Sequence, residues 1–210
     1  MVGTVKLPPR RALAGAVAAV LVVAMAVDTK VVRIGSPADV QADVFSPAKF
    51  GASEFSKVQA AVESKAVDAA ALATAIGKDQ DAAAKQYGVP ADAGSEIPVK
   101  FTGKVSGEDS GVCTVTVPGV PDGTQITVQT GPAIIGTDLR DVTGTITFGQ
   151  FRNQIEYQNA GAALNTVMKQ QVLSKIDTSK LTGKTISVVG VLLLTDPGNW
   201  VVTPVQLTVQ

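Results

Sequence analysis

Hydrophobic and polar positions along this chain follow three successive patterns. The first is an uncharged run from Ala12 to Val27, ALAGAVAAVLVVAMAV, with Lys6, Arg10 and Arg11 before it and Asp28 after it. In the second, Phe50, Phe55, Val58, Ala61, Val62 and Val67 recur at helical spacing. Ser46-Pro47 supplies an N-cap and a proline at the first helical position, so a helix is predicted over about 47–66. Asp68 caps a second helix, DAAALATAI, which stops at Gly77. A third runs from about Asp79 to Tyr87 and ends at Gly88, with Pro90 beyond. These Ala-rich helices are expected to pack on a larger body, because short isolated helices are marginal in water.

After the breaker-rich stretch Pro90–Pro98 the period becomes two. Val99, Phe101, Gly103 and Val105 face one way, and Lys100, Thr102 and Lys104 the other. A turn at Gly107–Gly111 leads into GVCTVTV, where Cys113, Val115 and Val117 share a face. Val120-Pro121-Asp122-Gly123 has a type I turn signature, and Ile126 and Val128 then alternate with Gln125, Thr127 and Gln129. A short strand is expected around Thr145–Phe148. Ile155, Leu164, Val167, Met168, Val172 and Ile176 mark the buried stripe of a long helix. Two strands close the chain, TISVVGVLLL and WVVTPVQLTV, joined by the Asp196–Asn199 turn. Pro204 cannot donate to a ladder and marks an edge or a bulge.

Three strands, a helix and two strands is the order of an OB-fold. The predicted class is therefore α+β: short Ala-rich helices, then an OB-like antiparallel five-stranded barrel with a long helix between its third and fourth strands. The predicted segments are 1–28 as signal anchor or signal peptide, 29–46 as linker, 47–90 as the helical part and 97–210 as the β domain. Basic residues ahead of an apolar core are the form of an export signal. Its uncharged run gives about 24 Å of helix against ~30 Å of hydrocarbon, which flanking residues must lengthen for it to span. The residues allow both a single N-terminal span and cleavage after Ala26, at Ala24-Met25-Ala26, and in both cases the C-terminal domain lies outside the cytoplasm.

Composition then narrows the chemistry. The chain has no His, which removes Ser–His–Asp and Cys–His catalysis and every His-containing metal site. One Cys forms no internal disulfide, and Cys113, alternating with valines, reads as a small buried hydrophobe. Charges balance at 18 of each sign, and the expected strand face, Thr114, Thr116, Gln125, Thr127 and Gln129, carries neither ring nor cation. Nucleic acid is not an expected partner, because stacking needs a ring and backbone tracking needs Lys or Arg. No calcium-loop run or phosphate-binding glycine motif is present, and no metal or cofactor is expected.

Two segments are chemically richer, Gly131–Asp141 and Phe151–Tyr157. Their candidate binding residues are Arg140, Asp141, Asn153, Gln154, Glu156 and Tyr157. Asp138 and Asp141 are also weighed as an acid/base pair, against loop carboxylates that cap turns or pair with Arg140. Asn153, Gln154 and Glu156 have a second reading as caps of the following helix, and both segments as a network holding that helix on the barrel.

TGPAIIGTDLRD followed by FRNQIEYQNAGAALN resembles the central signature of a bacterial family of predicted periplasmic lipoproteins, domain of unknown function 2291. KVVRIG, FSPAKF, ESKAVD and VVTPVQLTV match that family in order. The resemblance implies an exported, commonly lipid-anchored protein whose genes often accompany sugar ABC transporters. It implies no catalytic residues. The lipid-bearing Cys expected near Thr29 is absent here, which points to the N-terminal helix as anchor. The expected function is a membrane-tethered accessory protein, not an enzyme, that binds an envelope or transporter partner. The alternatives are a small-ligand module using 131–141 and 151–157, and a carboxylate-based enzyme.

Overall fold

The computed structural model describes residues 10–29 and 44–210, in two units, Met1–Val44 and Phe45–Gln210. Lys6, the KVVRIG segment and most of the expected linker lie outside the described residues. The first unit contains helix α1, Arg10–Asp28. Among the described residues no helix is long and apolar enough to cross a membrane.

In the second unit, side-chain caps set the helical boundaries. Helix α2 is Pro47–Lys65, with the Ser46 hydroxyl accepting from Lys49 N. The two-residue strand β1, Val67–Asp68, leads into α3, Ala69–Lys78, where Asp68 Oδ1 accepts from Ala70 N and Ala71 N. Asp79 does the same for α4, Gln80–Tyr87, accepting from Ala82 N at 2.9 Å. Each cap satisfies amide groups that a helix start leaves without partners.

The breaker-rich stretch is itself strand, contrary to expectation. β2, Val89–Ala91, folds back on β3, Gly94–Asp109, with Pro90 opposite Ser95. β4 is Val112–Thr116 and β5 is Gln125–Gln129; after the short helix α5, Asp138–Asp141, comes α6, Gln154–Gln171. β6, Thr185–Leu194, and β7, Asn199–Val209, complete the sheet. Strand pairing runs β3–β4–β5–β7–β6 and returns from β6 to β3, so these five strands form a ring. It is not wholly antiparallel: β5 pairs β7 in parallel, as a connection through α6 allows.

Phe55, Val58, Leu72, Ile97, Phe101, Ile126, Leu164, Met168, Ile186 and Trp200 belong to one buried cluster, so α2 and α3 share the core of the strands. Two expectations fail locally. Residues 145–147 are not a strand; Gln150 accepts from Thr147 N and donates to Thr145 O, closing a turn that continues into a single 3-10 turn, Phe148–Gln150. Ile155 is 68% exposed, because its nine-residue separation from Leu164 is about two and a half turns and puts it on the opposite face.

Pro204 does mark a bulge. The β6–β7 register shifts between Val189 and Gly190, and Gly190 stands opposite Pro204. A Cβ on Gly190 would lie 2.6 Å from Thr203 O and 2.6 Å from a Val202 methyl. Gly190→Ala is therefore expected to cost about 2 kcal/mol through overpacking, read as a lower urea midpoint with unchanged slope. An unshifted midpoint would show that this part of the ring yields freely.

Candidate functional site

Helix α5 is a single turn with two acidic residues and an arginine, and its side chains organise the site. Asp141 is the hub. Its carboxylate accepts from Arg140 Nε at 2.7 Å and Arg140 Nη2 at 2.8 Å, a two-pronged ion pair. It also accepts from the Thr137 hydroxyl at 2.6 Å and the Tyr157 hydroxyl at 3.3 Å. Arg140 donates further to Tyr157 O at 3.3 Å, and its guanidinium carbon sits 3.6 Å from the Tyr157 ring centroid. Loop and helix α6 are thereby joined by charge, hydrogen bonds and cation–π contact. Burial pushes the Tyr157 phenol up from 10, with the Asp141 and Asp92 carboxylates adding to the shift against Arg140.

These groups lie on a cleft of about 230 Å³, lined by Pro90, Asp92, Arg140, Asp141, Phe148 and Tyr157 among others. Arg140, Asp141 and Tyr157, singled out from sequence, are brought together. Asn153, Gln154 and Glu156 are not part of it. Asn153 Oδ1 accepts from Glu156 N at 2.9 Å as the N-cap of α6, and Gln154 is exposed. Glu156 accepts from Arg152 N at 3.0 Å and pairs with its guanidinium at 2.8 Å. The Arg152 backbone bond, then its side chain, hold the Glu156 carboxyl below 4.5.

Sequence reasoning missed Asp92, Phe148 and Glu96. Asp92 sits in the turn before β3, a place where an acidic residue carries no distinguishing signal. Phe148 was assigned to a strand, whereas it stands 51% exposed on the 3-10 turn with its ring 5.7 Å from that of Tyr157. Glu96 is the larger surprise. In the sequence it falls in the breaker-rich Pro90–Pro98 stretch, where no face is assigned; in β3 it shares the face of Lys100, which is exposed. It is 1% exposed, and its Oε2 is buried without a hydrogen-bond partner. Burial pushes its carboxyl up from 4.5 to about 8, helped by the Asp138 and Asp141 charges and opposed by Arg140. Neither Glu96 nor Asp138 lines the cleft.

Asp138 belongs to a second buried polar set beneath α5. It accepts from the Thr203 hydroxyl, and burial raises its pKa against the lowering effect of that bond. The Thr203 hydroxyl in turn accepts from Gln129 Nε2 at 2.8 Å, while Gln129 Oε1 accepts from Ile135 N at 3.2 Å. Gln129 and Thr127 were expected on an open strand face; both are buried, with Thr127 donating to Trp200 O. The physical reason is that β7 flanks β5 and the 131–137 loop is hydrogen-bonded to Gln129. Of that face Thr127 and Gln129 are closed off, while Thr114, Thr116 and Gln125 stay open along a separate cleft. Cys113 is buried beside Thr130, its sulfur 3.3 Å from the hydroxyl, and burial raises the thiol pKa. No group of three or more potential metal ligands occurs among the described residues.

Comparison with known proteins bears on fold and family. An OB-fold protein from Thermotoga maritima MSB8, known from its crystal structure, superposes with a TM-score of 0.63 at 17% identity, covering 80% of this chain and 100% of that one. The likeness is one of fold, and it agrees with the mixed α+β ring described above. No curated protein matches the sequence. The family model described as "Predicted periplasmic lipoprotein (DUF2291)" matches residues 16–208. With nearly the whole chain matched, the protein belongs to this DUF2291 family, whose description places its members outside the cytoplasm and in association with membrane.

Proposed function

We propose that this chain is an extracytoplasmic, membrane-associated accessory protein that works by binding another envelope component and performs no chemistry of its own. A transport component is the specific partner that the family resemblance implies. The observation that carries the reading is the convergence of Arg140, Asp141 and Tyr157 on one cleft in which they already satisfy one another. A general base needs a free acceptor within reach of its substrate, and Asp141 has spent its lone pairs on four donors. The raised carboxyls Glu96 and Asp138 do not line the cleft. A rigid, charge-paired wall with a half-exposed ring beside it suits recognition.

The second reading, a small-ligand module, draws on the same cleft, whose volume suits a fragment rather than a whole drug-sized molecule. In-membrane photocrosslinking of the native protein distinguishes them. A crosslinker at Thr147, on the cleft rim, is expected to capture an envelope protein that one at Lys57, on the exposed side of α2, does not. Equal labelling from the two positions would overturn the proposal. Mass spectrometry of the N-terminus in the same sample reads whether residues up to Ala26 remain.

A further inference from the structure

We infer that the cleft between the β2–β3 turn and Phe148 receives a protonated amine: an ammonium group at the end of a flexible alkyl chain. This deepens the binding reading above and rests on it. Three observations carry the assignment.

The first is charge. Arg140 and Asp141 neutralise each other through their two-pronged pair, while Asp92 lines the cleft with no ion pair among the described residues. No lysine lines the cleft, and Arg152 is committed to Glu156. Glu96 and Asp138 do not line the cleft and bring no cation to it. The cleft therefore holds one uncompensated negative charge, which repels carboxylates and phosphates and attracts cations.

The second is the aromatic wall. Tyr157 already carries a guanidinium on its ring, so the protein itself shows a cation held there. Phe148 packs edge-on against Tyr157 at 79° and remains half-exposed, with no cation on its ring among the described residues. Its turn is pinned by the Gln150 side chain at both Thr145 O and Thr147 N, so the ring is presented by a closed local structure. With Asp92 lining the same cleft, a carboxylate and a ring are both available there to an ammonium group.

The third is size. About 230 Å³ accommodates an aminoalkyl chain and excludes a folded element. Free amines and a partner's lysine side chain share this chemistry.

The test is an amide-resolved NMR titration of the full chain with n-butylammonium chloride, with sodium butyrate at equal ionic strength as the opposite charge. Saturable shifts at Asp92, Thr147 and Phe148 are expected with butylammonium and not with butyrate. Asp92→Asn and Phe148→Ala, both at exposed positions, are each expected to weaken the response about tenfold while leaving the amide spectrum folded. A lysyl tripeptide and its acetyllysine twin separate the sources: tighter binding of the lysyl form than of butylammonium assigns a partner side chain, and equal binding assigns a free amine. Butyrate matching butylammonium, or Asp92→Asn leaving the affinity unchanged, would overturn the inference. If crosslinking places a partner on the cleft while butylammonium leaves it unshifted, the ammonium assignment falls and the binding reading stands. If neither occurs, both fall.

Discussion

Replacing Glu96 by Gln is expected to flatten the pH dependence of stability and to make the protein more stable than wild type at pH 8.5. The folded-state carboxyl is raised from 4.5 to about 8, chiefly by burial. Below pH 4.5 folded and unfolded chains both carry the proton, and the stability that goes with the neutral group is fully present. Above it the unfolded chain releases the proton while the folded chain retains it, so stability declines as pH rises. The decline is complete once pH has passed the folded value near 8. At about 1.4 kcal/mol per unit, the loss by pH 7 is on the order of 3 kcal/mol. Gln has no such proton to lose. Its buried amide costs about 1–3 kcal/mol where unpartnered, so the two curves are expected to cross rather than run parallel. Urea midpoints at pH 5, 7 and 8.5 measure this. Parallel curves would show that Glu96 reaches solvent or a counter-charge in solution.

The other large effect is expected at Arg140. Arg140→Ala removes the guanidinium that forks onto Asp141, covers Tyr157 and donates to Tyr157 O. The side chains of the pair are 7% and 17% exposed, so Asp141 is left largely buried with only the Thr137 and Tyr157 hydroxyls as donors. Removing one member of such a pair costs about 3–5 kcal/mol, which for a chain of this size lowers the melting temperature by about 10 °C. Arg140→Lys is expected to recover less than half of it, because an ammonium cannot make the parallel pair of bonds or lie flat on the ring. A loss under about 1 kcal/mol for Arg140→Ala would mean that the fork is solvated and contributes as a surface pair does.

These two residues also show where sequence reasoning reaches and where it stops. Arg140, Asp141 and Tyr157 were visible as candidates because charged and aromatic residues cluster in two short segments. Asn153, Gln154 and Glu156 sat in the same clusters, yet Asn153 and Glu156 serve the start of α6 and Gln154 stays exposed. Chemical richness in a segment does not tell a cleft from a cap. Glu96 was invisible for a different reason: the breaker-rich Pro90–Pro98 stretch assigns it no face. Strand alternation, where it is clear, states which residues share a face, and says nothing of whether that face is later covered. Thr127 and Gln129 failed on this second count: their face was assigned to solvent, and β7 and the 131–137 loop closed it.

The features legible in short stretches of the chain are local ones. Ser46, Asp68 and Asp79 start their helices because a side-chain oxygen reaches amides two or three residues on, a contact that needs no distant partner. The β6 boundaries and the bulge at Pro204 follow equally from period and from a missing amide. Tertiary structure decided the parallel β5–β7 pairing, the joining of α2 and α3 to the strand core, the burial of Glu96 and the meeting of Asp92 with Phe148 at one cleft. Each depends on segments tens of residues apart. Their contact is set by how the whole chain excludes water, and no short window of the sequence contains that information.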